Sequence, residues 1–150
     1  MKRLNPGHIE EVIKVFGHES VLPWVTDDGF VDLKAKLLSF LHSPGYYFLS
    51  PREGTIVMFI PMNYITYDAH IASLSRTNVI EDAMDCGRWM VENTPLQKIV
   101  AMVPTFNKVT IAAVRKSNMK KEGLLKKSFL KDNKLYDIEI YGIMKEELCQ

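Results

Sequence analysis

Hydrophobic residues in the first forty positions recur at helical intervals. Asn5 and Pro6 open a helix, Asn as the cap and Pro at the first helical position, where its missing N–H costs nothing. Ile9, Val12, Ile13 and Phe16 then share one face, and Gly17 is expected to stop the helix in a left-handed conformation. Beyond a loop through Pro23, Trp24, Asp27, Asp28 and Gly29, the spacing of Leu33, Leu37, Phe40 and Leu41 marks a second helix, ended by Ser43-Pro44-Gly45. The pattern then shortens to that of strands at residues 46–50, 55–61 and 66–74, which read as an antiparallel meander. Helical spacing returns with Val79, Ile80, Ala83, Met84, Met90 and Val91, in a segment that stops before Pro95. Residues 98–103 form a short, almost wholly apolar strand of the kind covered on both faces, closed by Pro104. A helix over 108–116 follows, then a hairpin that turns at Asp132-Asn133, with Tyr136, Ile138 and Ile140 on the core face of its last strand. The order is that of an α+β fold: a mixed, mostly antiparallel sheet flanked by helices, in one domain spanning residues 1–150.

Composition narrows the function classes. With 47% hydrophobic and 25% charged residues, a chain of 150 residues buries roughly 70% of its unfolded surface around one core. A net charge of +1 gives no global pull toward nucleic acid or an anionic membrane. Cys86 and Cys149 lie too far apart to read as a metal-ligand pair or a disulfide framework, which places the chain in a reducing cytoplasm. The basic start runs into a polar helix opening without an apolar stretch, so no secretory signal is expected. No apolar run is long enough to span a bilayer. His8, His18 and His42 are scattered without ligand spacing, and no metal site is expected. Locally, residues 115–134 carry eight Lys or Arg against Glu122 and Asp132. Such a run is a solvated face that guards a sheet edge, or a surface for an acidic protein or nucleic acid. Trp24, Phe30, Tyr46, Tyr47 and Trp89 are assigned to the core, since no spacing marks them as a stacking platform.

The segment from Phe106-Asn107 through the helix to Lys116, and on through the lysine-rich hairpin from Asn118 to Asp137, resembles the C-terminal half of the GNAT N-acyltransferase fold, especially the ribosomal-protein-type N-acetyltransferases. The element order of the whole chain is similar to that fold as well. The resemblance implies acetyl-CoA as the acyl donor and a primary amine as acceptor, a protein N-terminus or a lysine, in a monomer or homodimer. It places the donor's diphosphate at the start of the helix over 79–93, where unpaired N–H groups and the helix dipole favour an anion. The binding residues it implies are Ser75, Arg76, Thr77 and Asn78, with Asn107 toward the pantetheine arm. The family's signature there is Arg or Gln, two residues, Gly, one residue, then Gly or Ala. This chain has Leu74-Ser75-Arg76-Thr77-Asn78-Val79 with no glycine, and Asn78 with Glu81 fits a capping box that would satisfy the same donors. The tyrosine that many members carry in the helix after Asn107 is matched by Val114. Amine acetylation also needs a base, and the candidates are Asp68 and His70, alternate residues on one strand face, with Tyr67 and Tyr64 as nearby donors. The same residues also read as a polar stripe on a solvated face. The missing glycines and the hairpin are similar, too, to tailed-phage proteins of this fold associated with head assembly, which implies a non-catalytic protein that binds a protein partner.

Overall fold

The computed structural model describes residues 1–150. Seven strands form a single sheet in the order β1-β2-β3-β4-β5-β7-β6. They are β1 (Lys2–Leu4), β2 (Tyr47–Arg52), β3 (Thr55–Pro61), β4 (Thr66–Ser73), β5 (Lys98–Pro104), β6 (Lys120–Lys131) and β7 (Lys134–Met144). Only β4 and β5 run parallel. The helices are α1 (Ile9–Phe16), α2 (Leu22–Val25), α3 (Leu33–His42), α4 (Val79–Asn93), α5 (Lys108–Lys116) and α6 (Lys145–Leu148). No helix is long and apolar enough to cross a membrane.

The periodicity of α1 buries Val12, Val15 and Phe16 beside Leu37 of α3, against Phe48, Ile56, Met58 and Ala72 on one face of the sheet. The other face is covered by α4 and α6, where Cys86, Met90 and Leu148 pack on Leu49, Val57, Phe59, Tyr67, Ile99 and Ile143. A smaller cluster of Ala101, Val103 and Tyr141 lies under Ile111 of α5.

The chain differs from the sequence expectation at several points. Lys2–Leu4, to which the sequence pattern assigned no element, pairs as an edge strand with β2. Asn5 caps a 3-10 turn at Pro6–His8 that leads into α1, its side chain accepting from the Gly7 N–H while His8 Nδ1 accepts from the Asn5 N–H. Gly17 ends α1 at φ −85°, not in the left-handed region; a Cβ there would meet the Ile13 carbonyl oxygen at 2.7 Å, so close approach is what requires glycine. At the hairpin turn the expected residues hold, with Asp132 and Asn133 at φ 51° and 61°, the paired positive values of a type I′ turn.

Candidate active site

β4 and β5 are bonded over three pairs only, Thr66↔Lys98, Tyr67↔Ile99 and Asp68↔Val100. Beyond them the strands diverge: residues 69–73 of β4 keep β3 as partner, residues 101–104 of β5 keep β7, and the two inner edges have none. An extended chain with its own donors and acceptors fits such a pair of open edges. Both strands run toward the open end, so α4 and α5 begin there.

Asp68 stands where the divergence starts and His70 one step inside it. Cross-strand partners share a face, so the pairs Ile60↔Asp68, Met58↔His70 and Ile56↔Ala72 put both on the α1–α3 side. His70 Nε2 and Asp68 Oδ2 lie 2.8 Å apart. Asp68 is only 7% exposed and its Oδ1 is buried without any partner. A buried carboxylate oxygen with no donor costs roughly 1–3 kcal/mol, which makes Asp68 a candidate for a chemical role. Tyr67 is not brought to this pair. Adjacent strand residues face opposite ways, and its ring is buried against Tyr47 on the α4 side, where burial first and Tyr47 second push its hydroxyl pKa up. Tyr64 projects into solvent from the β3–β4 turn.

At the open end, the capping box expected of Asn78 and Glu81 does not form. Asn78 adopts φ 60°, a left-handed conformation that asparagine tolerates better than most side chains, and its side chain caps nothing. The first bond of α4 runs from the Asp82 N–H to the Asn78 carbonyl, which leaves the N–H groups of Val79, Ile80 and Glu81 without a protein acceptor. Ser75 and Thr77 hydroxyls lie 3.0 Å apart beside these donors, and Arg76 is exposed. Of the two acidic residues in the first turn, Glu81 faces solvent and Asp82 is paired with Arg52, whose Nε donates to Asp82 Oδ2 at 2.6 Å. Sequence reasoning overlooked Arg52. Its only signal was a cation beside a Glu-Gly turn.

Asn107 caps α5, its Oδ1 accepting from the Thr110 N–H at 3.2 Å. Val114 packs with Ala101, Val103, Ile111 and Tyr141. The Tyr141 hydroxyl under α5 donates to Glu139, which also receives Lys121 and Arg115; the Tyr141 bond foremost, then Lys121 and Arg115, holds the Glu139 carboxyl below its ordinary range.

The segment between α1 and α3 crosses from the first half of the sheet to the hairpin. Trp24, assigned to the core from sequence, is 44% exposed and stacks on Phe106, which also packs on Phe129 and Tyr136. Both oxygens of Asp28 accept from the hairpin turn, the N–H groups of Asp132 and Asn133, at 2.8 Å each. This strap is thus tied to Phe106, just beyond β5, and to the β6–β7 turn.

No family model matches the sequence. No curated protein matches it either. Solved structures do match the fold. A spermidine N-acetyltransferase from Vibrio cholerae, in complex with CoA and spermine, superposes with a TM-score of 0.81 at 13% identity, over 99% of this chain and 96% of that one. A ribosomal-protein-alanine N-acetyltransferase from Brucella melitensis gives a TM-score of 0.73 at 14% identity, over 95% and 98%. The chain therefore has the fold of the GNAT N-acetyltransferases.

Proposed function

We propose that this chain is an N-acetyltransferase that moves the acetyl group of acetyl-CoA to a primary amine. The observation that carries the reading is the divergence of β4 and β5, with the Asp68 carboxylate, one oxygen on His70 and the other without a partner, at its closed end and free N–H groups at its open end. The solved neighbours are named as N-acetyltransferases, one of spermidine and one of a ribosomal protein's alanine, so both act on amines. Acetyl-CoA supplies an acetyl group activated as a thioester. The free edge of β4 holds the extended arm, and Asn107 lines the facing loop. The N–H groups of Val79, Ile80 and Glu81, with Ser75, Arg76, Thr77 and Asn78, hold the diphosphate. Asp68 and His70 receive the proton that the acceptor ammonium must lose before its nitrogen attacks the thioester carbon, whereupon the carbon–sulfur bond breaks and the thiolate departs. With Val114 in place of a tyrosine, that thiolate leaves without a side-chain acid from α5. A protein N-terminus or a lysine is the acceptor class we favour.

Acetyl-CoA titration followed by thermal denaturation tests this. At a hundred times its dissociation constant the ligand stabilises by about 2.7 kcal/mol, a rise of roughly 5–10 °C for a chain of this size. The absence of both a rise in melting temperature and heat on titration would overturn the reading. We keep a second reading, a non-catalytic GNAT-fold binding protein such as a phage head-assembly factor. It draws on the hairpin, where Leu124, Leu125, Leu130 and Leu135 are exposed among lysines. Indifference to acetyl-CoA, together with retention on a protein partner that is lost when hairpin lysines are reversed to glutamate, would favour it.

A further inference from the structure

Arg52, at the end of β2, reaches into the loop before α4 with two bonds. Its Nε donates to Asp82 Oδ2 at 2.6 Å, and its Nη2 donates to the Thr77 carbonyl. Asp82 lies in the first turn of α4 with its side chain 12% exposed. Unpaired, a carboxylate so placed would repel any second anion at the helix start, and the guanidinium cancels that repulsion. The second bond sets an orientation. In a trans peptide the C=O and the following N–H point in opposite directions, so holding the Thr77 oxygen on Arg52 aims the Asn78 N–H away from it. That N–H has no protein acceptor, like those of Val79, Ile80 and Glu81. The β2–β3 turn secures the rest of the loop: the Leu74 N–H donates to Gly54 O at 2.8 Å, and the Thr55 and Ser73 hydroxyls lie 2.8 Å apart with the Ser75 N–H donating to Ser73 Oγ.

We propose that Arg52 is the positioning residue of the diphosphate loop. It offsets the charge of Asp82 and fixes the Thr77–Asn78 peptide, so that a loop without glycine presents free N–H groups to the anion. This rests on the acetyl-CoA reading above. Two acyl donors separate the effects: acetyl-CoA, and S-acetylpantetheine, which has the same thioester and arm but no diphosphate. Arg52→Met is expected to raise KM for acetyl-CoA by roughly tenfold or more, the loss falling on KM rather than kcat, and to leave KM for S-acetylpantetheine as it was. Adding Asp82→Asn to Arg52→Met recovers the part of that loss that is due to charge and leaves the part that is due to the freed Thr77–Asn78 peptide. Asp82→Asn alone, which does not depend on the stability of the Arg52 variant, lowers KM for acetyl-CoA by roughly threefold because an unpaired guanidinium then faces the site. The proposal is overturned if Arg52→Met raises KM for both donors alike, if the double variant recovers nothing, or if Asp82→Asn leaves KM for acetyl-CoA unchanged. A wild-type chain that neither binds nor uses acetyl-CoA overturns the parent reading and this one with it. Wild-type binding with an unaffected Arg52→Met variant overturns the role of Arg52 alone.

Discussion

Replacing Asp68 by Asn separates a functional from a structural carboxylate, because the two roles predict opposite signs for stability. Asp68 is 7% exposed, shares one oxygen with His70 at 2.8 Å and leaves the other buried without a donor. The orphaned oxygen costs roughly 1–3 kcal/mol, and more as part of an ionised group than as part of a neutral amide. Asn is isosteric, so no cavity opens, and it keeps a hydrogen bond to His70. The variant should therefore be more stable by about 1 kcal/mol, a rise in Tm of roughly 2–4 °C for a chain of this length. On the proposed role of Asp68 as proton acceptor, kcat/KM for acetyl transfer should by contrast fall by about a hundredfold or more. Differential scanning calorimetry measures the first quantity, and thiol release from acetyl-CoA with an amine acceptor measures the second. A Tm that drops, with activity lost only in proportion to unfolding, would refute the argument. Unchanged turnover in a stabilised variant would equally remove Asp68 from the chemistry.

Three further outcomes follow from side chains away from that pair. The Glu139 carboxyl is held low chiefly by the Tyr141 hydroxyl, so its contribution to stability is present above the unfolded glutamate pKa and is lost as pH falls through the lower folded value; the urea midpoint should decline below about pH 4, and Glu139→Gln should flatten that decline. Burial first, with Asp82 and Asp85 adding to it, pushes the Cys86 thiol up to about 12, whereas Cys149 is exposed; a maleimide at pH 7 should label one cysteine in the native chain and two in urea, and double labelling of the native chain would contradict the packing. Asp28→Ala removes both side-chain acceptors that seat the strap on the hairpin turn and should lower stability by about 1–2 kcal/mol while increasing amide exchange at Asp132 and Asn133; unchanged exchange would mean that the remaining contacts, Trp24 on Phe106, the residue 28 N–H on the Leu130 carbonyl and Lys131 on Thr26, suffice to hold the strap.

The elements were legible where a periodic apolar face decides them. Val12 and Phe16, and Met90, each bury the side that their spacing marks, and Asp132-Asn133 can hardly be other than a tight turn. The last strand corrects its expectation: Tyr141 and Ile143 join the core beside a buried Glu139, whereas Tyr136, Ile138 and Ile140 on the other face are only half-buried, because the helices α4, α5 and α6 cover the opposite side. Of the site, the adjacency of Asp68 and His70 was legible because alternate strand residues share a face. What escaped was long-range. Lys2–Leu4 becomes a strand only because β2 offers an edge, Trp24 leaves the core because Phe106 waits for it across the sheet, and Arg52 finds Asp82 thirty positions away. Local propensity carries none of these, and the capping box at Asn78 gives way to a left-handed residue beside a carbonyl that Arg52 holds from β2.

That arrangement changes what the absence of glycine means. Glycine serves a phosphate loop by permitting positive φ and close approach of the backbone, but the anion itself is held by N–H groups that point toward it and are not otherwise engaged. Here Asn78 supplies the positive φ at 60°, and the fork of Arg52, anchored on Asp82, supplies the rigidity that a tight glycine turn would give. The remaining requirement is access, and a Cβ on Asn78 restricts it on one side. Asn78→Gly therefore discriminates between the two demands. If access limits the loop, the variant binds acetyl-CoA more tightly than the parent; if preorganisation limits it, added backbone freedom weakens binding by about threefold, in line with the 0.5–1 kcal/mol that glycine commonly costs. Because Arg52 already fixes the peptide before residue 78, the second cost is largely offset, and tighter binding is the expected result in isothermal titration. Weaker binding would show that the arginine tether does not substitute for a restricted backbone.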